Sequence, residues 1–160
     1  MKKYITEIKW GCIFILALLL WMGFEKMMGW HDVNIDQHAM MTNFFAIPAI
    51  VIYILALLDK RKRDYGGVMS WKQGFVTGLI ITVVIAILSP LAQFIIHNII
   101  SPDYFENIRE YTVTMGEMTQ ENADAYFSMS SYITQSVIGA LAMGVLTSAV
   151  VAAFTRKNPE

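Results

Sequence analysis

Within residues 24–38, FEKMMGWHDVNIDQH, the chain sets a glutamate, two aspartates and two histidines. Imidazole nitrogen and carboxylate oxygen are the donors that zinc and copper take, so His31, Asp32 and His38 form a candidate metal set. Their spacing reproduces no compact motif such as H-E-x-x-H. A polar loop in which Asp36 caps the next helix accounts for the same residues without a metal. Glu25 raises a second chemistry. It stands five residues before Trp30, about 7–8 Å inside a membrane face if the segment is helical. An ionised carboxylate at that depth must find a partner, snorkel or take a proton. Asn43, Gln93, His97 and Gln135 fall at similar depth on later segments. Glu25, Asn43, Gln93, His97 and Gln135 are therefore the candidate ligand-binding set for a small solute, an ion or a lipid headgroup. The competing explanation is that polar residues near helix ends satisfy one another or water.

Other chemistry is sparse. No Walker-type or dinucleotide glycine loop is present, so no cofactor is implied. The lone Cys12 lies in an apolar run and reads as a small apolar residue that can form no intrachain disulfide. The 11 methionines fill apolar segments, although Met27-Met28 and Met40-Met41 flank the acidic loop. No catalytic residue is assigned, and an intramembrane metal-dependent enzyme is the weakest of the readings.

The elements that must carry these groups are set by composition. Of 160 residues, 56% are hydrophobic and 16% charged, and mean hydropathy is +0.48, which points to lipid as the solvent. Four segments supply the roughly 20 apolar residues a crossing needs: Trp10 to Trp30, Met40 to Leu58, Gly74 to Ile100 and Tyr132 to Phe154. The first carries bulky residues where a signal-peptide cleavage site needs small ones, so it reads as a retained helix. Ten of the 12 Lys and Arg fall in the N-terminus, the link between spans two and three (Lys60, Arg61, Lys62, Arg63, Lys72) or the tail. That asymmetry predicts both termini and the middle link in the cytoplasm. Nine of the 13 acids lie on the other side, giving an anionic outer surface unsuited to nucleic acid.

The expected fold is all-α: a polytopic membrane protein forming a four-transmembrane-helix bundle as a single domain over 1–160, with an amphipathic outer helix between spans three and four. Small residues four apart mark the packing seams, because apolar burial alone cannot associate helices in lipid. These are Gly74 and Gly78 on span three, and Ser136, Ala140, Gly144 and Ser148 on span four. The two helices touch along these seams, or one seam mediates dimerisation. Pro48 and Pro90 predict kinks. In the outer segment 101–131, Ser101 is an expected N-cap, and Tyr104, Phe105, Ile108, Tyr111 and Met115 share an apolar face. Gly116 should end that helix and Thr119 cap a second.

The segments FEKMMGWHD, YGGVMSWKQGFVTG, LSPLAQFI and SPDYFENIREY resemble those of a family of small four-span bacterial membrane proteins known only as a domain of unknown function. The resemblance covers nearly all of the chain. It implies a four-helix inner-membrane domain with no known substrate, so no catalytic residue carries over. The leading functional expectation is a non-enzymatic accessory or assembly component, with membrane lipids and a second copy or another membrane protein as partners. A carrier or binding protein built on the Glu25 cluster is the alternative.

Overall fold

A computed structural model describes residues 4–157; Lys2 and Lys3, counted above among the N-terminal basic residues, lie outside them. The elements are helical: α1 (Ile5–Met27), a 3-10 turn (Ile35–Gln37), α2 (His38–Asn43), α3 (Ala46–Asp64), α4 (Trp71–Ile95) continued by a π turn (Ile96–Ile100), α5 (Tyr104–Thr114), α6 (Gln120–Tyr126) and α7 (Met129–Thr155). Four stretches are long and apolar enough to cross a membrane: Ile5–Met27, Ile35–Asp64, Trp71–Ile100 and Met129–Thr155. Many large apolar side chains point outward along them, with Leu20, Ile87 and Phe154 each at least 70% exposed, while small and hydroxyl residues such as Ala56, Thr77, Thr82, Ser148 and Ala152 are buried. That is the arrangement expected where lipid surrounds the helices.

Boundaries differ from the sequence expectation for local reasons. Helix α1 stops at Met27 rather than reaching Trp30, because Gly29 adopts φ +75° and turns the chain. Pro48 does not kink the second crossing at its own position. It occupies the first turn of α3, where no helical donor is missed, and the break falls just ahead of it at Phe44 and Phe45. Helix α4 runs through Pro90 without ending. Asp36 lies in the 3-10 turn, and α2 has no side-chain cap. Ser70 does cap α4, in a reciprocal capping box with Gln73.

Helices α4 and α7 make the closest pairing. Gly74 lies against Ala152, Gly78 against Ser148, and Gly144 against Thr82. Thr82 in turn shares a 2.8 Å hydrogen bond with the Tyr53 hydroxyl of α3. Ala140 packs against the central core of Tyr53, Leu57, Ile81, Ile85 and Val151, whereas Ser136 is half-buried and donates to the Ile133 carbonyl of its own helix. Gly11 of α1 meets Val84 of α4, a close approach absent from the sequence expectation.

The two ends of the molecule differ in kind. At one end Lys60 Nζ lies 2.7 Å from Glu7 Oε1 and 2.6 Å from Asp64 Oδ2. Lys9 and the Trp10 indole both bond Asp59, and Met69 and Lys157 exchange backbone hydrogen bonds of 3.0 and 2.9 Å. The start of α1, the α3–α4 link and the tail thus share that end. The opposite end is closed by α5 and α6, where Tyr104, Ile108, Ala123 and Phe127 bury against Ile35. The apolar face of α5 therefore turns toward the rest of the chain, except for Met115, which is exposed. Gly116, at φ +72°, follows α5, and Thr119 caps α6.

Candidate metal centre

The chain reversal at Gly29 folds residues 30–34 back over the end of α1. Asn34 N donates to Gly29 O at 2.8 Å, and Trp30 N to Glu25 O at 3.1 Å. The reversal carries His31 down beside Glu25, and the 3-10 turn then delivers His38 to the same point. His31 Nε2 lies 3.1 Å and His38 Nδ1 3.2 Å from Glu25 Oε2. One donor atom from each of the three residues falls within 4.8 Å of the others. Donors around a tetrahedral zinc ion, with bonds of about 2.0–2.1 Å, sit roughly 3.3 Å apart, so both contacts to Oε2 have the spacing of a ligand set.

The groups around this triad hold it in place. Trp21 Nε1 donates to Glu25 Oε1, leaving Oε2 to the histidines. His31 Nδ1 is 2.5 Å from Ser101 Oγ, and Asn107 Nδ2 donates to the His31 carbonyl at 3.0 Å. Ser101 owes its position to the π turn, whose closing bond runs from its own N–H to Ile96 O at 2.7 Å. Glu25, His31 and Ser101 are all at most 1% exposed. His38 Nδ1 is buried, yet its approach to Glu25 is not directed as a hydrogen bond. A buried nitrogen left in that state calls for a further partner.

The sequence-level candidates are redistributed. Asp32, expected in the metal set, turns away: its carboxylate accepts from Val33 N at 2.6 Å and from Lys26 Nζ at 3.0 Å. Those two bonds, the backbone one foremost, hold it below the usual carboxylate range. Glu25 stands in its place. Asn43 is exposed and donates to its own Ala39 carbonyl at 2.6 Å, so it leaves the ligand-binding set. Ser101, expected as a helix cap, supports His31 instead, and Asp103 holds the cap position without a side-chain bond.

Gln93, His97 and Gln135 gather around a cavity of about 280 Å³ beside the triad, with His31 and His38 in the same wall. His97 Nε2 donates to Gln93 Oε1 at 3.1 Å, and its ring stacks on Phe105 with centroids 4.2 Å apart. Gln135 Nε2 donates to Ser131 Oγ at 2.8 Å. Tyr104 and Tyr132 share a 3.0 Å hydroxyl bond. Burial pushes the Tyr104 phenol upward, so it stays protonated and remains a donor. Sequence reasoning gave Trp21 no role, and it gave Ser101 only a cap, Tyr104 only an apolar helix face and Tyr132 only a span boundary. The Ser-Pro pair at 101 and 102 is a helix-start signal in its own right, and it hid the other use of the hydroxyl.

A family model described as "Protein of unknown function (DUF4199)" matches residues 9–157. The chain belongs to this family. The matched region takes in three of the four long apolar helices whole, the first from residue 9 onward, and every residue of the centre and the cavity. The family's description carries no activity, so the chemistry of this DUF4199 member rests on its own residues. No curated protein and no solved structure matches the chain.

Proposed function

We propose that this chain is a bacterial inner-membrane four-helix bundle, with its termini in the cytoplasm, that binds a divalent transition-metal ion at Glu25, His31 and His38. The observation that carries the reading is the convergence of these three donors, two on buried residues and one on the half-buried His38, at ligand spacing. Two imidazole nitrogens and one carboxylate oxygen suit zinc and its neighbours rather than magnesium or calcium, which take oxygen. Trp21, Ser101 and Asn107 supply the outer support that orients such ligands. The expected assembly role is less favoured. Its two sequence features, the small-residue seam and the outer apolar face, are largely occupied within the chain.

Metal content tests the reading directly. Protein purified in mild detergent, loaded with zinc and freed of excess, should retain the ion stoichiometrically by mass spectrometry. His31→Ala and His38→Ala should fall to background with helicity preserved, while Asp32→Ala keeps its zinc. Wild type holding no zinc, or loss in Asp32→Ala with retention in His38→Ala, overturns the proposal.

Orientation follows from the basic residues clustered at the Met69–Lys157 end. In a Cys12→Ser background, Met115→Cys should react with an impermeant maleimide in intact cells, and Tyr65→Cys only after lysis. Equal labelling of both from outside is incompatible with the assignment.

A further inference from the structure

We infer that the cavity beside the metal centre receives the uncharged, carbonyl-bearing head of a membrane-soluble molecule whose tail stays in the lipid. The charge of the walls decides the class. Among the described residues no Lys, Arg, Asp or Glu lines the cavity, so neither a phosphate head nor an ammonium head finds its usual counter-charge there. The walls offer hydrogen-bond donors instead. Gln93 has its oxygen engaged by His97, so its NH2 group is what remains to be given. Gln135 bonds Ser131 through its amide nitrogen, which carries a second N–H, and Thr42 contributes a hydroxyl. Donors gathered in a partly buried space call for an acceptor, and a carbonyl oxygen is the uncharged acceptor that membrane-soluble molecules carry.

Leu18, Met22 and Ile96 form the apolar part of the wall, beside the histidines and the two tyrosines. Gln135 is exposed and Thr42 half-buried, so the cavity opens between α2 and α7. Gln135 stands six residues into α7, about 9 Å from the helix start, so the mouth meets the leaflet at the α5–α6 end. A volume of about 280 Å³ lies just under the range of complete ligand pockets and suits a head alone. His97, 7% exposed, forms part of the wall, held by its bond to Gln93 and its stacking on Phe105.

A quinone ring and the ester end of a neutral glycerolipid share this chemistry, and the test separates them. Zinc-treated protein in mild detergent is titrated with a short-prenyl naphthoquinone, with dioctanoylglycerol and with a short-chain phosphatidylglycerol, binding being read as a saturable rise in melting temperature. One of the first two should bind, and Gln93→Leu/Gln135→Leu should weaken it by at least about tenfold. Quinone binding identifies the ring, and diacylglycerol binding the ester. The inference is overturned if neither neutral probe binds, if the double variant binds as wild type does, or if phosphatidylglycerol binds more tightly. Zinc content is measured on the same samples. Zinc retained without probe binding removes this inference alone, whereas probe binding without zinc removes the metal reading alone.

Discussion

Glu25→Ala should abolish zinc retention and lower stability by about 3 kcal/mol, whereas Glu25→Gln should abolish retention with most of the stability kept. Alanine removes the carboxylate that bonds His31 and lies against His38, and it leaves the Trp21 indole without its partner. Buried groups stranded in this way cost about 1–3 kcal/mol each. Glutamine keeps an oxygen for Trp21 but exchanges the anionic ligand for an amide. Since loss of mere outer-shell partners weakens metal sites by roughly 10–100-fold, loss of this ligand should exceed about 100-fold. Competition with a chromophoric chelator gives the affinity, and melting followed by circular dichroism in the same detergent gives the stability. Wild-type zinc affinity in Glu25→Gln would mean that the carboxylate is a structural hydrogen-bond acceptor only.

Gly78→Leu should be the most damaging single substitution on the α4–α7 seam. An added Cβ would overlap the Ser148 hydroxymethyl group and come within 3.2 Å of the Ser148 Cα, so relief requires moving a helix rather than a side chain. Overpacking of that kind costs about 3 kcal/mol or more. Gly139→Leu on the same α7 is the matched control, because a Cβ there meets nothing within 4 Å. It should change stability by less than about 0.5 kcal/mol. Thermal melting of both variants in detergent checks the pair, and equal losses would remove the close α4–α7 approach as the source of stability.

How much of this was readable beforehand depends on the range of the interaction. The four crossings follow from runs of about twenty apolar residues, and such runs survive any error in their ends. The spacing of Gly74 and Gly78, and of Gly144 and Ser148, marks a face by periodicity alone, and these residues do meet across α4 and α7. The centre was not readable as one object. Depth along a straight helix assigns Glu25 to the membrane and His31 to the water beyond it. Only the left-handed Gly29 brings them together, and a glycine in sequence does not declare its φ. Asn43 and Thr42 are neighbours in sequence, yet one is exposed and the other lines the cavity. That difference is set by the short α2, which hydropathy merges into a single crossing with α3. Ser101 pairs with a residue 70 positions away, beyond the reach of any local pattern.

The π turn at Ile96–Ile100 closes over five residues instead of four, so everything beyond it is rotated by about 100° relative to a straight helix. That phase presents Ser101 to His31 and seats α5 over the triad. A single surplus residue thus indexes the covering layer to the histidines beneath it, and the third crossing acts as a keyed shaft whose setting can change by whole residues only.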